Sequence, residues 1–219
     1  LSKKSKIPAK FDFWQSATGL ILGIFIIFHL TFESSILIGQ GFFNFIAETL
    51  ELGFIFEGGK PIVISYLAAF IFAVFIFHAF LAMRKFPQQY AQFRIFKQHS
   101  KSLKHTDTSI WLVQIVTGFI LFFTGSVHLY QKAVANEPIT AIESSSTMTD
   151  EMMAPLFIVL LIAVVLHAFV GLYRLAVKWV PMDKDKRVKL MKMRNIAIAV
   201  FLVLGLASIF RYIQIGLAH

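Results

Sequence analysis

Five long apolar blocks constrain this chain more than any other feature, running approximately over residues 14–39, 61–83, 108–130, 153–179 and 196–215. A hydrocarbon core of about 30 Å takes about 20 helical residues to cross, and each block meets or nearly meets that length. In lipid every backbone N–H and C=O must be satisfied within the protein, which restricts such blocks to helices. Only 15% of the residues are charged and 57% are hydrophobic, whereas a soluble domain carries about 25% charged residues. The predicted fold class is therefore an all-α membrane protein with five transmembrane helices, forming one integral membrane domain over residues 1–219. The first block is longer than a signal-peptide core and lacks a small-residue cleavage site, so it reads as a span. Residues 84–106 form a basic stretch with interleaved aromatics, expected to lie as an interfacial connection between the second and third spans.

Charge placement predicts the orientation. With the N-terminus in the cytoplasm and the C-terminus outside, 18 of the 21 Lys and Arg residues fall on the inner side, leaving Lys60, Lys132 and Arg211 outside. Eight of the twelve acids fall on the outer side. This is the positive-inside pattern of a multi-pass membrane protein. The net charge of +9 is then a sided field suited to anionic lipid and a cytoplasmic partner subunit, not a nucleic-acid footprint.

Four of the seven histidines lie inside spans, one in each of the first four: His29, His78, His128 and His167. Polar groups at that depth are costly and usually face a bundle interior, where they serve a function. Counting helical rise from the inner end of each span, His78 lies about 9 Å deep, His167 about 16 Å, His29 about 22 Å and His128 about 31 Å. The order separates an inner pair, His78 with His167, from an outer pair, His29 with His128. In an up-down-up-down bundle alternate helices are diagonal across the core, so each pair faces itself. That arrangement suits two stacked macrocycles, each iron held by two imidazoles. Ala82, Gly125 and Gly171 lie three or four residues from a ligand, on the same helix face, where a porphyrin needs room. Gly19 and Gly23 form a G-x-x-x-G that reads as helix packing. Zinc would need its ligands at one depth. The chain has no cysteine, which removes thiolate-held clusters and c-type attachment. Two bis-histidine b-type haems are the reading favoured, with structural histidines or a proton relay as alternatives.

The strings KFDFWQSATGL, FIFEGGKPIVISYLAAFIFAVFIFHAFLAMRKFP, HTDTSIWLVQIVTGFILFFTGSVHLY and LHAFVGLYRLAVKW resemble the di-haem cytochrome b subunit of quinol:fumarate reductases, within the succinate:quinone oxidoreductase family. The resemblance covers nearly the whole chain. It implies that FAD and iron–sulfur clusters sit in partner subunits on the cytoplasmic side, a flavoprotein that reduces fumarate and an iron–sulfur protein that feeds it. The membrane subunit would oxidise menaquinol near the outer face and carry no dicarboxylate site. It implies axial ligands at His29 and His128 for the distal haem and at His78 and His167 for the proximal one. Among Glu48, Glu51 and Glu57, it associates Glu51 with quinol oxidation, as proton acceptor. It assigns Gln15, Ser16, Trp111 and Lys178 to haem propionates, although interfacial anchoring also accounts for Trp111 and Lys178. It leaves a dimer of the complex open.

One position departs from the pattern. Some family members carry a buried glutamate, implicated in transmembrane proton transfer, two residues before the fourth ligand. This chain has Val165 there, which cannot carry a proton and puts charge compensation by that route in doubt. Three rivals stand beside the favoured function: the same architecture run as a succinate:quinone reductase, a cytochrome b anchor for another dehydrogenase, and a transporter with a histidine relay.

Overall fold

The structure, a computed structural model, describes residues 7–84, 94 and 106–218. The helices are α1 (Ile7–Glu33), α2 (Gln40–Leu50), α3 (Ile62–Met83), α4 (Thr106–Val134), α5 (Ala141–Thr149), α6 (Ala154–Trp179) and α7 (Lys184–Gly216), with a 3₁₀ turn at Ser34–Leu37 after α1. No strand occurs among the described residues, so the fold is all-α, with five helices long and apolar enough to cross a membrane. Apart from residues 84, 94 and 106, the basic connection over 84–106 lies outside the described residues, as does His219.

Local chemistry explains the starts of these helices. Pro8, Pro61 and Pro155 stand at the heads of α1, α3 and α6, where a missing N–H costs no intrahelical bond. Thr140 caps α5, its side chain accepting from the Glu143 N–H at 3.1 Å. Asp183 caps α7 by accepting from the Lys186 N–H at 2.8 Å. That bond and the nearby Lys186 ammonium hold its carboxyl below the usual aspartate range.

Three of the observed helices overrun the predicted spans, and the first also stops short of its predicted end at 39: α1 ends at Glu33 and a 3₁₀ turn carries the chain to Leu37. α1 begins at Ile7 rather than at residue 14, and α4 ends at Val134 rather than at 130. α7 begins at Lys184, a full charged segment before residue 196. Hydropathy marks where lipid begins, and a helix continues into water where its residues are good helix formers. The predicted spans also omit α2 and α5, which lie between spans and, at 11 and 9 residues, are too short to cross.

In the packing, α1 lies against α3 and α6, and α4 lies against the same two, so these four helices close a ring. α7 packs outside it, on α6 and α5. Close approach is visible at Gly205, where a Cβ would stand 2.5 Å from Leu161, and at Gly23, where it would stand 2.8 Å from Leu172. The outer surface carries large exposed apolar residues such as Phe28, Tyr66, Phe80 and Val203, which suits hydrocarbon rather than water.

Two ends of the ring are distinct. At one, the Asp12 carboxylate meets Arg84 Nη2 at 3.1 Å and Lys178 Nζ at 3.4 Å, joining the start of α1 to the ends of α3 and α6. At the other, Ser65 at the head of α3 donates to the carbonyl of Ala135 just beyond α4. Phe32 stacks on Phe43 of α2. The first end is the basic end and the second is the Glu51 end.

Candidate functional site

The four ring helices enclose a cavity of about 1060 Å³. His29, His78, His128 and His167 all line it. Each comes from a different ring helix, which turns the face bearing its histidine toward the cavity. The rings of His29 and His128 face one another with centroids 6.0 Å apart. Phe25 stacks on His29 at 5.5 Å, and the edge of Phe157 meets His128 at 5.3 Å. His128 Nδ1 is buried without a hydrogen-bond partner.

His78 and His167 lie nearer the basic end and are held differently. Thr18 Oγ1 stands 3.0 Å from His78 Nδ1, and Thr117 Oγ1 stands 3.2 Å from His167 Nδ1. The residue after each threonine is a glycine. A Cβ on Gly19 would stand 3.0 Å from His78 Cε1, and one on Gly118 would stand 2.9 Å from His167 Cε1. The two rings therefore sit directly against helix backbone, where any larger residue would displace them. Gln114 Nε2 donates to the His167 carbonyl at 3.2 Å and stands 3.2 Å from His167 Nε2.

The remaining sequence-predicted residues fall into two groups. Gln15, Ser16, Trp111 and Lys178 line the basic end of the same cavity, and Ala82, Gly125 and Gly171 line its walls. Gln15 Oε1 is buried and without a partner, while Ser16 Oγ donates to the Asp12 carbonyl at 2.9 Å. Glu51 does not line the cavity. It ends α2 and is buried at 2% exposure, its Oε1 accepting from the Ile139 N–H at 2.7 Å. Glu48 and Glu57 are exposed, so burial separates Glu51 from its two neighbours. Gly59, at φ +74°, closes over it: a Cβ there would stand 2.8 Å from Glu51 Cβ and 3.0 Å from Oε2.

Several residues of this site escaped the sequence reading. Glu33 lines the cavity one helical turn after His29, with its Oε1 4.0 Å from His29 Nδ1. Tyr212 of α7 donates to its Oε2 at 2.8 Å. In the sequence Glu33 reads only as an interruption near the end of a span. Gly19, assigned to helix packing with Gly23, seats the His78 ring instead, while Gly23 does pack against Leu172. The available signal was the Thr-Gly doublet, present in the first span as ATGL and twice in the third, as VTGF and FTGS, of which ATGL and VTGF lie against histidine rings. Val165 is fully buried among Leu30, Leu161, Phe169 and Ile209, an apolar pocket with no acid among these neighbours.

Comparison with known proteins agrees with this architecture. Residues 91–207 match the family described as succinate dehydrogenase/fumarate reductase transmembrane subunit. The chain is 53% identical over 219 residues to the fumarate reductase cytochrome b subunit of Wolinella succinogenes, covering 98% of this chain and 86% of that one. It is 43% identical over 220 residues to the fumarate reductase cytochrome b subunit of Helicobacter pylori, covering 99% of this chain and 85% of that one. The chain belongs to the succinate dehydrogenase/fumarate reductase transmembrane subunit family.

Proposed function

We propose that this chain is the di-haem membrane anchor of a quinol:fumarate reductase, a single membrane domain that oxidises menaquinol near its Glu51 end and delivers electrons to partner subunits at its basic end. The observation that carries this reading is the placement of four histidines, one from each ring helix, on the walls of one cavity. Two imidazoles sharing one iron, each with a metal–nitrogen bond of about 2.0–2.1 Å as in other imidazole sites, would put their ring centroids about 6 Å apart. His29 and His128 stand at 6.0 Å. The cavity, at about 1060 Å³, exceeds the roughly 300–1,000 Å³ of an ordinary single-ligand pocket. Its residues therefore suit two b-type haems, one held by His29 and His128 and one by His78 and His167, with Ala82, Gly125 and Gly171 beside them. When bound, such groups supply one-electron transfer along the membrane normal.

The protein residues do the rest. Quinol oxidation releases protons with its electrons, and a positioned carboxylate serves as general base. Glu51 Oε1 is occupied by the Ile139 N–H, which leaves Oε2 as the oxygen to accept a proton. Gln15, Ser16, Trp111 and Lys178 converge at the basic end, where side-chain donors would meet haem propionates. The same end would face the cytoplasm and the iron–sulfur subunit, which in turn serves the FAD-bearing flavoprotein, in the inner membrane of a bacterium with the N-terminus inside. Val165 leaves the position two residues before His167 without a proton carrier, so turnover would move charge across the membrane uncompensated by that residue.

A reduced-minus-oxidised spectrum of the purified complex, with a pyridine haemochrome assay, tests the reading. Two b haems per chain are expected, and none would remove its basis. Midpoint potentials set against that of menaquinone separate fumarate reduction from succinate oxidation.

A further inference from the structure

Resting on the haem reading above, the hydrogen bonds around His78 and His167 say which ring nitrogen carries the proton. A threonine hydroxyl has one proton and two lone pairs. Thr18 Oγ1 lies 2.8 Å from the Trp14 carbonyl oxygen and 3.0 Å from His78 Nδ1. Thr117 Oγ1 lies 2.6 Å from the Val113 carbonyl oxygen and 3.2 Å from His167 Nδ1. A carbonyl cannot donate, so an O···O contact this short needs the hydroxyl proton, the familiar back-bond of helical threonine to the residue four before it. Each hydroxyl then has only lone pairs left for the imidazole. Nδ1 must supply the proton of that second bond, and Nε2 is left with its own lone pair.

Gln114 supports this independently at His167. Its amide nitrogen donates to the His167 carbonyl at 3.2 Å, which fixes that atom as the NH₂ group and not the oxygen. The same nitrogen lies 3.2 Å from His167 Nε2, so a donor already points at the lone pair the threonine argument assigns. Gly19 and Gly118 complete the device by letting each ring sit against the helix that carries its threonine.

We propose that Thr18 and Thr117 are positioning residues that hold His78 and His167 in the Nδ1–H tautomer, presenting Nε2 to iron. Two of the Thr-Gly doublets thus act alike: Thr18 of the first span orients the ligand of the second, and Thr117 of the third span orients the ligand of the fourth. Among the described residues no threonine hydroxyl stands at the rings of His29 and His128 in this way. His128 Nδ1 is buried without a hydrogen-bond partner and His29 Nδ1 stands 4.0 Å from the Glu33 carboxylate, so the two pairs differ in the groups behind their imidazoles.

A hydrogen-bond acceptor behind an axial imidazole makes it a stronger donor to ferric iron, and losing such a partner commonly costs about tenfold or more in affinity. In the complex purified with its partner subunits, Thr18→Val and Thr117→Val should each raise the midpoint potential of one haem while leaving the other unmoved. A tenfold change corresponds to about 59 mV for a one-electron couple. Thr18→Ser and Thr117→Ser should keep the wild-type potential. Valine variants with unshifted potentials, or serine variants that shift as far as valine, would overturn the proposal. If the valine variants do not assemble, proton ENDOR of the wild-type complex before and after exchange into D₂O decides it. An exchangeable proton on the remote nitrogen of both ligands of this haem is expected, and its absence overturns the proposal. A wild-type complex without haem would instead defeat the haem reading, and only a haem-loaded complex indifferent to Thr18 and Thr117 defeats this one alone.

Discussion

Tyr212 donates to Glu33 at 2.8 Å, and this one bond joins the last spanning helix to the first beside His29. Tyr212 is almost completely buried and packs edge-on against Phe43, so the phenol has no water to fall back on. Tyr212→Phe should therefore destabilise the chain by about 1.5–3 kcal/mol, the range for hydrogen bonds to charged groups. A thermal melt of the detergent-solubilised complex measures it.

Glu33→Gln should act on potential rather than on assembly. The substitution removes a carboxylate whose Oε1 lies 4.0 Å from His29 Nδ1, while an amide oxygen can still accept from Tyr212. A negative charge there favours the oxidised form of whatever His29 binds, so its removal should raise one midpoint by tens of millivolts, on the scale of about 59 mV per decade. The haem with His78 and His167 should hold its value in the same titration.

His29→Ala and His78→Ala should each leave one b haem per chain. Pyridine haemochrome stoichiometry reads the loss. Double substitution within one pair, His29 with His128, should be no worse for haem content than either single substitution. Substitution across pairs, His29 with His78, should remove both haems, and retention of one would break the assigned pairing.

Glu51→Gln should slow menaquinol oxidation by about 10²–10⁴-fold, the usual contribution of a positioned general base. Gln can still accept from the Ile139 N–H, so folding should be intact. Fumarate reduction driven by an artificial reductant, which enters past the quinol site, should run at its wild-type rate.

Gly59→Ala should impair the same step from the other side. At φ +74° an L residue is strained, and the added Cβ would crowd both Cβ and Oε2 of Glu51. The cost should be about 1 kcal/mol or more. The measurements are a thermal melt and the quinol rate, with both haems retained.

The architecture was largely legible because lipid is an unforgiving solvent: the five apolar blocks lie in five long helices, and one histidine per span is a pattern that spacing alone exposes. The ends of α1 and α7 were less so, since helix propensity continues past the residues that hydropathy scores. α2 and α5 carry too short an amphipathic pattern to register as spans. The candidate site divides the same way. His29 and His128 could be paired from depth, and they meet in the structure. The partnership of Glu33 with Tyr212 spans nearly the whole chain, which no local pattern encodes. Thr18 and Thr117 look like ordinary helical threonines until the rings of His78 and His167 are placed beside them. Glu51 sits in a loop next to the ring rather than on the cavity wall, a distinction that a linear sequence cannot draw.

The closed ring also carries a consequence for how the chain is made. Synthesis runs from the N-terminus, and the wall formed by Ala154–Trp179 arrives after the other three. Until then Asp12 can reach Arg84 but not Lys178, and the space between the helices is an open trough. His29 gains its partner once residue 128 has emerged, whereas His78 waits for residue 167. The two pairs are thus completed at different moments of biogenesis, and the one seated against Gly19 and Gly118 is the last to form.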